Sequence, residues 1–220
     1  MAALDNPHWE AVPPPLPDLL AGIGQQPFIS RFYLGGGTAL ALQLGHRKSF
    51  DLDFFSDVDN VEAASREEIK VALSALWPVK LQKDVDGTLF FDIGGTHVGF
   101  FSYGCSLLDP TPTAAGVRLA GLTDIGLMKL DAVVGRAARK DFYDLYFIAQ
   151  RVPLTRLLEL GERKYPEMRD FQLHAISGLT FFDNADVDAQ PELLIPVEWE
   201  TVKDFFVAQA RALRREWFGF

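Results

Sequence analysis

The sequence predicts an α+β fold: a small mixed β-sheet of four to six strands with helices against one face, followed by a helical C-terminal region. Three observations carry this. Short runs rich in aromatic and β-branched residues, separated by glycine turns, are confined to about residues 30–120. Within them, Leu89–Ile93 and Thr96–Tyr103 flank Gly94-Gly95, a two-residue loop that suits the primed turns of a hairpin. From about residue 123 onward the apolar residues recur at helical spacing. The division expected is an arm over 1–29, a core over 30–122 and a helical region over 123–220.

Taken in order, Pro13, Pro14, Pro15 and Pro17 mark an irregular arm with a short helix after it. Phe32-Tyr33-Leu34 reads as a short strand stopped by Gly35-Gly36-Gly37. Thr38 is placed to cap a helix through Leu44, and Gly45 to end it. Phe50 to Phe55 alternates as a strand does. Ser65-Arg66-Glu67-Glu68 has the form of a capping box ahead of a helix closed by Pro78. Val79–Lys83 is a further strand, with Asp86-Gly87 as a turn. Helices are expected from Thr123 or Asp124 through Val133, over about 140–150, and near 154–164, 166–178 and 198–216.

Composition excludes some functions. The chain has 220 residues and 48% hydrophobic content, enough for a core. It carries 30 Asp and Glu against 21 Lys and Arg, a formal charge of -9. That balance disfavours nonspecific DNA coating, which needs a basic surface. One cysteine, Cys105, excludes an internal disulfide and a Cys-rich zinc site. Met1 to Pro14 shows no basic region followed by an apolar run, so it is not expected to be a signal peptide, and no run reaches the ~20 apolar residues of a membrane span. The expected location is cytoplasmic.

The chemistry concentrates in two places. Gly35, Gly36 and Gly37 stand between a strand and a helix, where backbone can approach a bulky anion and helix N–H groups face it. Downstream, Asp51 and Asp53 lie two apart on a strand, so both carboxylates share one face while Leu52 and Phe54 turn to the core. Paired hard oxygen ligands suit Mg²⁺, which keeps waters and bridges to phosphates. The second place is helical. Lys129 sits in an apolar stretch and needs a partner or an anion. Asp141 and Asp144, three apart, share a helix face, with Arg136, Arg139 or Lys140 as available salt-bridge partners.

These residues carry a resemblance. Residues 34–55, LGGGTALALQLGHRKSFDLDFF, resemble the first motif of the AbiEii/AbiGii toxin family within the nucleotidyltransferase superfamily. Residues 124–150, DIGLMKLDAVVGRAARKDFYDLYFIAQ, are similar to its later motifs. The resemblance implies a nucleotidyltransferase core of DNA polymerase β-like fold. It also implies a Mg²⁺-dependent enzyme that moves a nucleotidyl group from an NTP to an acceptor, either a tRNA end or a protein. Such a chain is often the toxin of a bacterial toxin–antitoxin system, with a cognate antitoxin as partner. Asp51 and Asp53 would hold the metal. Gly35, Gly36, Gly37, Thr38, Arg47, Lys48 and Ser49 would bind the nucleotide. Lys129 would neutralise charge on the triphosphate, and Asp141 or Asp144 would orient the attacking group or nucleotide.

One position departs from the pattern. Active members of the superfamily place a third carboxylate on a neighbouring strand, about where Gly99 stands here. Asp92 on the other hairpin strand and His97 are the nearest polar replacements. The rival expectation is therefore a catalytically degenerate nucleotide-binding or interaction protein that keeps the fold.

Overall fold

The computed structural model describes residues 2–219. The chain divides into two compact units, Met1–Gly121 and Leu122–Phe220.

In the first unit the strands are β1 (Tyr33–Leu34), β2 (Asp51–Ser56), β3 (Lys80–Val85), β4 (Thr88–Ile93) and β5 (Thr96–Ser102), with a small pair β6 (Thr113–Ala114) and β7 (Val117–Arg118). The five-stranded sheet has the order β1-β2-β5-β4-β3, and β6 pairs with β7 in a second, two-stranded sheet. β2 and β5 run parallel, and the other neighbours in the main sheet are antiparallel. The expected mixed sheet is thus present. The hairpin of β4 and β5 turns on Gly94 and Gly95, both at positive φ (61° and 87°), as a primed turn requires.

Alternation builds the core on one sheet face. Leu52, Phe54, Leu89, Phe91, Val98 and Phe100 are all buried. Phe100 stacks on Phe54 at 5.0 Å and receives the edges of Phe28 and Phe32 at 5.7 and 5.4 Å. The helices of this unit are α1 (Leu16–Gly24), α2 (Gly36–Leu44) and α3 (Ala63–Leu76). The proline-containing segment is built into the unit: Ala11 and Val12 are buried, and the Ala11 carbonyl accepts from Ser49 N at 2.9 Å.

Two helix starts differ from expectation. α2 begins at Gly36 with Gly35 as its N-cap, so Thr38 lies inside the first turn. Its hydroxyl instead bonds Ser49 Oγ and the Asp51 carbonyl. α3 begins at Ala63 after Glu62, three residues earlier than a Ser65 cap allows. Ser65 donates its hydroxyl to Asp59 at 2.8 Å, a partner supplied by the preceding loop. α3 does end at Leu76, with Trp77 as its C-cap, ahead of Pro78.

The second unit is helical: α4 (Leu122–Gly135), α5 (Arg139–Ala149), α6 (Leu154–Lys164), α7 (Phe171–Gly178), α8 (Asp183–Val187) and α9 (Trp199–Phe218). Only the short α8 was not expected. α4 is central: it packs against α5, α6 and α7, while α9 packs on α5 and α7. α9 presents Val202, Phe206, Ala210 and Leu213 as its buried stripe. Leu193, Val197, Phe205 and Phe218 beside them are only partly covered. No helix among the described residues is long and apolar enough to cross a membrane.

A buried ion pair joins α6 to α4. Lys164 Nζ lies 2.8 Å from Asp124 Oδ1, with both side chains at 0% exposure. Removing one partner from such a pair costs more than removing both. Lys164→Ala should lose about 3–5 kcal/mol of stability in urea unfolding, and Asp124→Leu/Lys164→Met much less. Equal losses in the two variants would show that the pair is not what the helices depend on.

Candidate active site

In the first unit, the site is built by bringing a turn against a strand. Gly35 N donates to the Asp53 carbonyl at 2.9 Å, which ties the start of α2 to β2. Gly36 adopts φ +61°, and a Cβ there would stand 3.1 Å from Asp53 Oδ2. The strand's carboxylate thus abuts the first turn of α2. A Cβ at Gly37 would stand 2.5 Å from Arg47 Nη2 and 3.0 Å from Ser49 Oγ. Glycine at both positions is a condition of this packing.

Arg47 and Ser49 are buried, and Lys48 is half-buried. Arg47 Nη1 donates to the Lys48 carbonyl at 2.9 Å, which fixes the loop's curvature. Thr38, Ser49 and Asp51 form a hydroxyl–carbonyl brace between α2 and β2. Asp51 and Asp53 are half-exposed, alternating with buried Leu52 and Phe54, so both carboxylates stand on the face away from the core.

The register of β2 and β5 places Gly99 directly beside Asp53, and His97 beside Asp51. The position of the expected third carboxylate is therefore the in-register neighbour of Asp53, and it carries no side chain. A Cβ at Gly99 would stand 2.5 Å from the ring of Phe101, two residues on along the same face. The aromatic ring occupies the space an acid would need. Asp92 pairs in register with His97, hence about 10 Å from Asp51 across two strand spacings. Its carboxylate accepts from Gly95 N at 3.0 Å, so it serves the hairpin turn and does not replace the missing acid. Among the described residues, no three His, Cys, Asp or Glu side chains converge as a metal cage.

In the second unit, α4 and α5 assemble the other predicted residues. Lys129 Nζ lies 2.9 Å from Asp141 Oδ1 and 2.6 Å from Asp144 Oδ2. Arg136 clamps Asp141 with two bonds, Nε to Oδ2 and Nη2 to Oδ1, each 2.8 Å. Both acids are at 0% exposure, while the Arg136 side chain is 59% exposed. The partner that the buried lysine requires is thus supplied by the chain itself. Burial pushes the Asp141 carboxyl upward, but the charges of Lys129 and Arg136 outweigh it and hold it below its ordinary value of 3.8. Arg139 belongs to different contacts. It donates to the Ala185 and Asp186 carbonyls and lies over the Trp199 ring at 5.2 Å.

The family model of the nucleotidyl transferase AbiEii toxin, from a type IV toxin–antitoxin system, matches residues 18–218. The chain belongs to this family. An uncharacterized protein of Aquifex aeolicus (strain VF5), aq_aa25, is 34% identical over 181 residues, 80% of this chain and 84% of that protein. Two solved structures share the fold. One is a Helicobacter pylori protein provisionally assigned as a nucleotidyltransferase, with TM-score 0.59, 19% identity, and coverage of 95% and 94% of the two chains. The other is the nucleotidyltransferase toxin MenT4 of Mycobacterium tuberculosis H37Rv, with TM-score 0.54, 16% identity, and coverage of 89% and 84%.

The chain gathers Gly35, Gly36, Gly37, Thr38, Arg47, Lys48, Ser49, Asp51 and Asp53 in one unit. It gathers Lys129, Asp141 and Asp144 in the other. Sequence reasoning missed the ring of Phe101, whose signal was an aromatic two residues after a strand glycine. It also missed the buried Asp124–Lys164 pair, whose partners lie forty residues apart.

The lowered carboxyl of Asp141 predicts an acid dependence. A group depressed in the folded state contributes stability above its unfolded value and loses it as pH falls through its folded value. Asp141→Asn should be about 2 kcal/mol less stable at neutral pH, with a flatter stability profile below pH 4. Urea unfolding at a series of pH values checks this; parallel profiles for the two proteins would contradict it.

Proposed function

We propose that this AbiEii-family chain transfers a nucleotidyl group from an NTP to an RNA or protein acceptor with Mg²⁺, acting as the toxin of a bacterial toxin–antitoxin pair. The observation that supports this most directly is the Asp51–Asp53 pair on one face of β2, with the glycine turn of α2 against Asp53. Two half-exposed carboxylates suit a Mg²⁺ that takes its remaining ligands from water and substrate phosphates, and they do not form a closed protein cage. When bound, the ion would neutralise charge developing between the reacting and leaving phosphates.

The chain's own groups perform the rest of the proposed work. The free N–H groups at the start of α2 receive phosphate oxygens. The Arg47 guanidinium, fixed beside Gly37, adds positive charge to that turn. Lys48 and Ser49 border the same loop. Lys129 neutralises charge on the triphosphate, and Asp141 or Asp144 orients the attacking group, as the family resemblance implies. The expected partners are the NTP, a tRNA end or protein acceptor, and a cognate antitoxin. The expected compartment is the cytoplasm.

Gly99 favours a second reading, a nucleotide-binding protein without turnover, because the position beside Asp53 has no acid. One experiment separates the two. The full chain is incubated with each labelled NTP, Mg²⁺ and cell extract, with Asp53→Ala as control. Label transfer that falls roughly a hundredfold or more in Asp53→Ala supports the enzyme. Tight NTP binding without transfer to any acceptor supports the second reading. Arg47→Glu should abolish NTP binding measured by calorimetry, and unchanged affinity would remove Arg47 from the nucleotide site.

A further inference from the structure

The sheet face that carries Asp51 and Asp53 also carries a strip of rings that none of the chemistry above uses. Gly99 is buried although it lies in register with Asp53, on the face turned away from the core. Two rings lie over it: a Cβ there would stand 2.5 Å from the ring of Phe101 and 3.1 Å from that of Phe90. The strip continues at both ends. Phe101 meets Phe55 with ring centroids 5.3 Å apart at 31°, and Phe90 meets His97 at 5.3 Å and 48°. Four rings therefore cross β2, β5 and β4 beside the two acids.

Phe55, Phe90 and Phe101 are half-buried, and His97 is exposed. Where an antiparallel sheet leaves one face to water, alternation places polar side chains on it. β3, at the sheet edge, follows that rule with Lys80 and Lys83. Phe55, Phe90 and Phe101 break it. Covering a strand glycine takes a single neighbouring ring, so Gly99 does not account for four. An apolar patch rimmed by polar residues is the usual mark of a binding surface.

The register supplies the dimensions. Asp53, Gly99 and Phe90 form one row, which puts Phe90 about 10 Å from Asp53 across two strand spacings. The Phe101 ring covers the position between them. A nucleotide whose phosphates are held between Asp53 and the start of α2 carries its base one ribose away, which sets the base over these rings. Every base has a π-face, and a flat aromatic surface stacks on it.

We infer that Phe90 and Phe101 stack the base of the bound NTP, and that the place of the expected third carboxylate serves as the floor of this base subsite. The inference rests on the nucleotidyl-transfer reading and specifies how its NTP is held. Stacking does not read hydrogen-bonding edges, so it tolerates base changes. A purine covers more of the strip than a pyrimidine does.

The test compares ATP with inorganic tripolyphosphate, which keeps the phosphates and lacks the base. Each is titrated calorimetrically into the full chain with Mg²⁺. Phe101→Leu and Phe90→Leu keep apolar bulk and remove the ring, and circular dichroism checks their fold. Each variant should lose at least about fivefold in affinity for ATP, the low end for one stacked base. Tripolyphosphate affinity should stay the same, and CTP should lose less than ATP. Phe101→Tyr, which keeps the ring, should bind ATP as the wild type does. Unchanged ATP affinity in both leucine variants overturns the inference. So do equal losses for ATP and tripolyphosphate, because the rings would then only shape the phosphate site. So does a leucine variant that dissociates a dimer in sedimentation while its ATP affinity holds, because the strip would then serve a second copy of the chain. A wild type that binds neither ligand overturns both this inference and the nucleotidyl-transfer reading. Ring-dependent ATP binding without label transfer to any acceptor would sink the transfer reading alone.

Discussion

A methyl group at Gly37 would stand 2.5 Å from the Arg47 guanidinium, and one at Gly36 would stand 3.1 Å from the Asp53 carboxylate. That closeness governs the first unit. It allows α2 to start against β2, and it lets the Gly35 amide bond the Asp53 carbonyl. The buried arginine then sits beside the glycine turn. A helix start brings amide hydrogens and partial positive charge, and the strand brings two carboxylates. Opposed charges of this kind are what a metal–phosphate ligand needs, since it presents both signs at once. The sheet core behind them, with Phe54 stacked on Phe100, fixes the strand that carries the acids.

The second unit solves a different electrostatic problem. It buries Lys129, Asp141 and Asp144 together and balances them with the partly exposed Arg136. Two cations against two anions leave the cluster neutral, so burial is tolerable. The Asp124–Lys164 pair repeats the principle on the other side of α4. α4 is thereby bound to α5 and α6 through charge as well as through apolar packing. Charged pairs of this type are strict about geometry, and they favour one arrangement of the helices over slipped alternatives.

How much of this could be read in advance depended on the range of the interaction. The Asp51–Asp53 face was legible because strand alternation is local, and the Gly94-Gly95 turn because only glycine enters two consecutive positive-φ positions readily. Helix starts were less legible. Ser65 and Thr38 have capping chemistry, but Asp59 and the Ser49–Asp51 segment claimed their hydroxyls. The lysine partner was readable as a need and not as an identity: Asp141 and Asp144 reach Lys129 only after the chain turns between α4 and α5. The candidate residues were read as two groups, and one group falls in each unit. The register that sets Gly99 beside Asp53 required the parallel pairing of β2 with β5, which no local pattern specifies.

The ring of Phe101 over Gly99 has a consequence for redesign of the site. Gly99 has ordinary backbone geometry, so nothing in the main chain forbids an aspartate there; the obstacle is the neighbouring ring. An acid is best introduced at this site in a set order, with the aromatic shortened first and the carboxylate added second. Taken in the opposite order, the intermediate would force an acid against a benzene ring beside another acid. The two positions are therefore coupled: a side chain at 99 and the ring at 101 compete for one space, and neither can be changed without regard to the other.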